Sequence, residues 1–555
     1  MRSGSIIKVA LEDLKGRLER AAAAAGLETD DPSLGLMIPS DPAHGDFATN
    51  LALSSGRGRN PREMAQELAC HIPPGGILDR VEVAGPGFIN FHLALDWLTS
   101  AVDLILRSRE TYGNGEYGRG QNVNLEFVSA NPTGPLGVVN ARAAAVGDSL
   151  RRVMEATGYQ VISEFYVNDA GQQVKNLAES IEARLRELEG RPLDLPEDGY
   201  PGEYLVEVAR AIFQEEGGGL WELPEEERLD FLGRRGVQII LQWHQKALDK
   251  FDVTFDVWFS ERSLRASGAA RKTLETLAER GFSYEEEGAV WLKTTAYGDD
   301  KDRVLVKADG ELTYLAADLA YHLNKLDRGF DTLINIWGPD HHGAIPRMYA
   351  GLRALGKPAE VLEILICQLV NLIRGGQRVR MSKRAGDIID MEEFLEEAGR
   401  DAARFFFLMR SLDSHLDFDL DLTQVQGSDN PVYYVQYAHA RMASILRTAA
   451  GEGLEVPGPG EFEPGLLSSE PERALLRHLA RLPEVVEEAA RAREPHRLTA
   501  YARDLATAFH GFYTECRVLG VEEDLTLSRL ALVKAAGLCL KRSLNLLGVE
   551  APERM

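Results

Sequence analysis

The chain has 555 residues and a formal net charge of −24, with 44% hydrophobic and 27% charged residues. That is the balance of a globular protein long enough for roughly three or four domains. No uncharged apolar run approaches the ~18 residues needed to span a bilayer, the N-terminal stretch lacks a signal-peptide core, and Cys70, Cys367, Cys516 and Cys539 form no C-x-x-C pair, so neither a disulfide framework nor a cysteine zinc site is expected. A cytoplasmic protein is expected, and its acidity argues against nucleic acid unless a local basic patch overrides the average.

In chain order, Ile7, Leu11, Leu14 and Leu18 form the apolar face of an opening helix. Residues 1–112 mix helices with short strands such as VEVAGPGFINFHL and read as a separate α+β domain. From 113 to 410 the pattern is strand–helix. The runs RVLVKA, TLINIWG and VLEILICQLV, with LTYLAADLAYHLNKL among them, predict a parallel α/β sheet. Within it, the acidic residues from about 185 to 300 read as a helical insertion. From 411 to 555 the strand signal fades into amphipathic helices, broken by the Pro/Gly-rich loop GEGLEVPGPGEFEPG.

Two segments carry chemistry. In NLEFVSANPTGPLGVVNARAAAVGDSLRRV, Val123, Leu125 and Phe127 alternate as on a half-buried strand. Asn131, Pro132, Gly134 and Pro135 break it, and Val146, Leu150 and Val153 recur at helical spacing. A strand feeding a helix N-terminus through such a turn suits a phosphate, yet neither a P-loop lysine nor G-x-G-x-x-G is present. The second segment, RGGQRVRMSKRAG at 374–386, holds five cations, no acid and flanking glycines. It reads either as a solvated basic loop or as a lid bringing cations onto a polyphosphate.

In this order the two segments resemble the signatures of class I aminoacyl-tRNA synthetases, a "HIGH" helix start and a "KMSKS" loop. SANPTGPL is similar to arginyl-tRNA synthetases, as are HGDFATNLAL, GPGFINFHL, FYVNDAGQQ, DGYPGEY, YGDDKDRVLV, WGPDHHG and DNPVYYVQYAHAR, which follow the family order. The resemblance implies a Rossmann-like catalytic domain at 113–410. It implies an N-terminal domain at 1–112 that meets the tRNA elbow, and a helical anticodon-binding domain at 411–555. It implies activation of L-arginine with ATP, accompanied by Mg²⁺, and transfer to the 3′ end of the tRNA by a monomer, with no metal held by the protein itself.

Arginine presents a planar guanidinium with five donors, best met by carboxylates. Tyr314 and Asp318 are four apart on a predicted helix and share a face, though alone they also read as a core tyrosine and a solvated charge. Glu126 ends the strand before the signature, at the edge where α/β folds bind ligands. The resemblance implies that Glu126, Ser129, Asn131, Tyr314 and Asp318 hold arginine. It further implies that Pro132, Thr133, Gly134, Gly137, Asn140, His341, His342, Met381 and Lys383 frame ATP, with Lys383, Ser382 and Asn140 acting in catalysis. Phe88, Tyr433, Tyr437 and Arg441 are the candidates for tRNA, with Phe509, His510, Phe512 and Tyr513 on a second helix. Tyr433 and Tyr437 are expected on one side of their helix, Tyr434 and Arg441 on another.

The signature itself departs from the family. Gly137, Val138, Val139 and Asn140 stand where it has "HIGH", so the first imidazole is missing, a β-branched residue replaces the glycine, and Asn140 becomes a candidate donor and N-cap. Losing one transition-state donor can cost ~10²–10³ in rate. The alternative is therefore a catalytically weak paralogue that binds tRNA or arginine.

Overall fold

A computed structural model describes residues 5–27, 31, 33–39, 41–55, 58–379 and 389–555. The chain divides into two compact units, one of residues 117–425 with 494–496, the other of 1–116, 426–493 and 497–555.

The first unit is organised by a five-stranded parallel sheet. Its strands are β1 (Asn122–Glu126), β2 (Gln160–Val167), β3 (Val257–Ser260), β4 (Thr332–Trp337) and β5 (Leu362–Ile366), in the order β5-β4-β1-β2-β3. The chain builds outward from β1 in one direction and then returns to its other side, so the order reverses between β1 and β4, the point where such sheets bind ligands. Helix α1 (Val138–Ala156) makes the first crossover. It approaches so closely that a Cβ on Gly147 would lie 2.3 Å from the ring of Phe127, which leaves room only for glycine. Arg142 of α1 is fully buried and donates to the carbonyls of Gln368, Ser411 and Ser414 at 2.8–2.9 Å, which ties α1 to the segments that follow β5.

Three features differ from the sequence reading. β1 is buried on both faces, because helices cover both sides of a parallel sheet. Its polar alternation marks an internal network, described below, and no solvent face. The stretch 185–300 is no single inserted block. Helices α2 (Gln172–Leu188), α3 (Tyr204–Glu216) and α4 (Glu225–Lys250) pack around Leu177, Ile181, Leu205, Ile212 and Ile240, but Val257–Ser260 then pairs with β2 in the main sheet. The run RVLVKA forms a strand (Arg303–Val306) of a separate antiparallel sheet with Ser283–Glu286 and Ala289–Leu292. Glu287 and Gly288, both at positive φ, make the two-residue turn that closes its hairpin. Helices α5 (Tyr314–Asp327) and α6 (Met391–Ala398) complete the elements needed for the site.

The second unit joins both ends of the chain. A four-stranded antiparallel sheet, including Leu78–Ala84 and Phe88–Leu93, belongs to the same body as the helices Pro431–Gly451, Glu470–Ala492, His496–Glu515 and Glu523–Leu547. Arg477 pairs with Asp46 at 2.6 Å, and the Tyr112 hydroxyl donates to the Leu479 carbonyl at 3.0 Å. The opening helix Ile6–Ala24 buries Ile7, Leu14 and Leu18 as its periodicity predicts, while Leu11 is only half-buried. Among the described residues no helix is long and apolar enough to cross a membrane.

Candidate active site

At the carboxyl edge of β1 the chain makes a strained turn. Val128 and Ser129 both have positive φ, unusual for non-glycine residues and above all for a β-branched valine. The Ser129 amide closes onto the Phe127 carbonyl at 2.9 Å. The strain aims the Ser129 hydroxyl at Glu126, to which it donates at 3.0 Å, and the hydroxyl oxygen accepts the Tyr166 amide at 3.0 Å.

From Glu126 a continuous hydrogen-bonded chain runs into α5. Lys325 Nζ donates to Glu126 Oε2 at 2.6 Å and to Asn335 Oδ1 at 3.2 Å. Asn335 Nδ2 meets His322 Nε2 at 2.9 Å, and His322 Nδ1 lies 2.7 Å from the Asp318 carbonyl. A carbonyl only accepts, so His322 carries its hydrogen on Nδ1 and receives Asn335 on Nε2. Burial, helped by the Lys325 charge, pushes its pKa down to about 3, so the ring stays neutral. Lys325 and Asn335 are fully buried, and the chain places Asp318, Glu126 and Ser129 in one rigid frame. A second buried acid, Glu164, braces it. Glu164 accepts a two-bond fork from Arg328 at 2.6 and 2.9 Å, the Tyr321 hydroxyl at 2.6 Å and Asn124 at 3.0 Å. Burial alone would raise its pKa, but the Arg328 bonds and the Lys325 charge hold it below the ordinary value.

The Asp318 carboxyl is different. Half-buried, it has no hydrogen bond or ion pair to its side chain among the described residues, and burial together with the charges of Glu126 and Glu261 pushes its pKa up to about 7. Glu261, 4% exposed at the carboxyl edge of β3, pairs with Arg265 at 2.5 Å, and the Asn168 amide, oriented to satisfy both its ends, donates to it at 2.7 Å. The same surroundings, burial first and then Glu261, Asp318 and Glu126, raise the Tyr166 hydroxyl. Three carboxylates thus converge, and one of them lacks a partner. Such a site favours a cation.

Tyr314 opens α5 on the Asp318 face at 73% exposure, which rules out the core reading. Asn131 is exposed on the loop beyond Ser129, with Asn168 beside it. His341 and His342 are exposed on the turn just beyond β4. The loop Pro132–Thr133–Gly134 leads to Gly137, which is the N-cap of α1. Asn140 is therefore not the cap but the third residue of the helix, where its Oδ1 accepts the Gly137 amide at 3.0 Å and its amide nitrogen is left as the donor. Met381, Ser382 and Lys383 lie outside the described residues. The chain re-enters beside the signature, with the Met391 amide on the Leu136 carbonyl at 2.7 Å and Asp390 bridged to Gly137.

The structure brings Glu126, Ser129 and Asp318 into one frame. The sequence reading missed Glu261, Tyr166, Asn168 and Lys325. Asp318, His322 and Lys325 do stand at the spacing of a single helical face, the signal that could have exposed the network. Glu261, following Ser260, reads as an ordinary acid in a capped first turn.

Family models for the arginyl tRNA synthetase N terminal domain, for the catalytic domain of tRNA synthetases class I (R) and for the DALR anticodon binding domain match residues 6–93, 101–407 and 435–555. The chain is 49% identical over 547 residues to the arginine–tRNA ligase of Carboxydothermus hydrogenoformans, covering 98% of each. To that of Symbiobacterium thermophilum it is 50% identical over 554 residues, covering 99% of each. This chain belongs to the arginyl-tRNA synthetase family. Thermus thermophilus arginyl-tRNA synthetase matches 98% of this chain and 100% of its own at a TM-score of 0.76 and 24% identity, and so shares the fold.

In the second unit of this arginyl-tRNA synthetase family member, Tyr433 and Tyr437 stack at 6.2 Å and 10°, and Arg441 lies over the rings of Tyr437 and Tyr513 at 5.7 and 5.0 Å. Arg441 thus reaches the Tyr437 ring as well as standing seven residues, and so about two turns, beyond Tyr434, and one face serves both tyrosines. Phe509 and Phe512 are fully buried and belong to the core, whereas Tyr437 and Tyr513 are each 38% exposed. Phe88 is half-buried and opens its strand, after the tight Gly85–Gly87 turn.

Proposed function

We propose that this chain condenses L-arginine with ATP to arginyl-adenylate and transfers the arginyl group to the 3′ end of its tRNA. The observation that carries the reading is the unpartnered carboxyl of Asp318 facing Glu126 and Glu261, a ready receptor for a guanidinium. Asp318 and Glu261 take the planar fork, Tyr314 closes over it, and Glu126, Ser129 and Asn131 hold the rest of arginine. A lysine ammonium, a point charge, cannot reproduce that planar fork.

In the first step the arginine carboxylate oxygen attacks the α-phosphorus of ATP. The new O–P bond forms as the bond to pyrophosphate breaks, a reaction governed by positioning and charge neutralisation. Pro132, Thr133, Gly134, Gly137, His341 and His342 frame the nucleotide. The free N–H groups of α1 and the Asn140 amide face the α-phosphate, and Met381, Ser382 and Lys383 meet the departing pyrophosphate. Mg²⁺ arrives with the phosphates as part of the substrate. In the second step a terminal ribose hydroxyl of tRNA attacks the adenylate carbonyl and AMP leaves. Residues 113–410 form the catalytic module, 1–112 the elbow-binding one and 411–555 the anticodon reader. Phe88 and the Tyr433–Tyr437–Arg441 surface are assigned to tRNA. We place the enzyme in the cytoplasm as a monomer.

No observation favours a binding-only paralogue. The test is arginine-dependent ATP–pyrophosphate exchange and tRNA charging, each with arginine and with lysine. Charging with arginine alone is expected, with exchange appearing when tRNA is present. Absence of charging overturns the reading.

A further inference from the structure

Helix α4 touches the loop before the signature and the helix α6 that starts beside it. His244 Nε2 lies 2.7 Å from the Gly134 carbonyl, and because a carbonyl only accepts, Nε2 carries the hydrogen. The ring is fully buried, its Nδ1 has no hydrogen-bond partner among the described residues, and burial pushes its pKa down to about 4 against the opposing pull of the Gly134 bond. The adjoining carbonyl, that of Thr133, receives the Tyr204 hydroxyl of α3 at 2.5 Å. A Cβ on Gly134 would stand 3.3 Å from the Tyr204 ring and hydroxyl, so the clamp and the glycine fit each other. Two turns beyond His244, Lys250 pairs with Glu392 in the first turn of α6 at 2.5 Å, with Lys246 at 3.5 Å. α6 begins where Met391 and Asp390 are bonded to Leu136 and Gly137.

We propose that α4 is a strut for the adenylation step, in which His244, with Tyr204, acts as a positioning residue. It fixes the Thr133–Gly134 carbonyls and hence the point at which the α1 N-terminus is presented, while Lys250 keeps α6 in register with it. Neither residue reaches substrate. Their leverage comes from the steep dependence of rate on placement, where ~1 Å costs ~10²-fold. This rests on the proposed adenylating function. It also assigns a task to the helical segment between β2 and β3: supplying the rigidity that GVVN itself does not.

The test compares His244→Leu, which removes the donor, with His244→Gln, which keeps an amide donor at similar reach. His244→Leu is expected to lower kcat for exchange about tenfold or more, as the loss of a buried bond of ~1–3 kcal/mol implies, with KM for arginine changed less than about twofold. Amide hydrogen exchange should accelerate at 134–141, and His244→Gln should recover most of both. If His244→Leu does not fold, Tyr204→Phe, which removes only a hydroxyl, carries the same expectations. Unchanged protection of 134–141, or an equal kcat loss in the Gln variant, overturns the strut. A wild-type chain inactive in exchange overturns the proposed function instead, and the hydrogen-exchange comparison still decides the strut.

Discussion

The proposed arginine pocket and the proposed nucleotide signature are neighbours in sequence but are built on opposite terms. The pocket is made of side chains, with Ser129, Glu126, Lys325, Asn335 and His322 passing hydrogen bonds from one to the next inside the protein. The signature is made of backbone, with Gly137 capping α1, Leu136 accepting Met391, and the Thr133 and Gly134 carbonyls held from outside. A side-chain network is intolerant, since each member leaves a buried partner unsatisfied when it goes. A backbone-built site tolerates exchanges of side chain, which is the physical sense in which GVVN can stand where the family has HIGH.

The sharpest way to break that contrast is Lys325→Met. Removing one member of a buried ion pair costs ~3–5 kcal/mol, so protection from hydrogen exchange in β1 and α5 should fall steeply. A second change, Glu126→Gln, should restore part of it because the uncompensated charge is then gone. A double variant no better than the single would mean that Lys325 contributes packing and no charge.

Next in size is Asp318→Asn. Asparagine replaces an acceptor oxygen by an N–H₂ group that faces a guanidinium with donors only, so the charge-assisted bond of ~1.5–3 kcal/mol is lost. KM for arginine should then rise about ten- to a hundredfold while KM for ATP stays within about twofold. Equal effects on both substrates would remove Asp318 from the arginine side. The same carboxyl sets a pH dependence. Its pKa in the empty pocket is about 7, raised by burial, Glu126 and Glu261 and opposed by Lys325. Bound guanidinium favours the ionised form and lowers that value, so binding near neutral pH expels a proton. KM for arginine should therefore climb as pH falls below 7, by up to about tenfold per unit, and Asp318→Asn should flatten the profile. His322 does not contribute in this range, its pKa of about 3 keeping it neutral.

The limits of legibility follow the same division. Glu126 and Asp318 could be singled out by strand-end position and helical spacing, whereas Ser129 came only from what the family resemblance implies. Their supports could not, because Glu164 meets Arg328, and Glu126 meets Lys325, across long stretches of chain that no local period reports. Periodicity also misplaced the RVLVKA strand, since an apolar run shows that a strand exists and not which sheet receives it. The Tyr433–Tyr437 pair was visible as spacing, with Arg441 set beside Tyr434 and its reach to the Tyr437 ring unseen. The exposure of the pair was not visible, because aromatic rows serve cores and surfaces alike.

The smallest expected effect lies at the signature. Gly137→His with Val139→Gly restores the family residue types at both positions. Gly137 sits at φ −103°, so a histidine there meets no conformational barrier. If the site relied on side-chain donors, the restored imidazole would be worth the ~10²–10³ that such a donor supplies. If instead the oriented N–H groups of α1, the Asn140 amide and the clamped Thr133–Gly134 loop already present the phosphate-binding geometry, the imidazole adds a donor to a charge that is largely met. Val139→Gly meanwhile loosens the first turn by roughly 0.3–0.5 kcal/mol of helix propensity. The two terms oppose each other, and kcat for exchange is expected to stay within about threefold of the natural chain, far below the effect of Asp318→Asn on KM. A hundredfold gain would show a nucleotide end starved of donors, and the contrast between a side-chain pocket and a backbone signature would fail at that point.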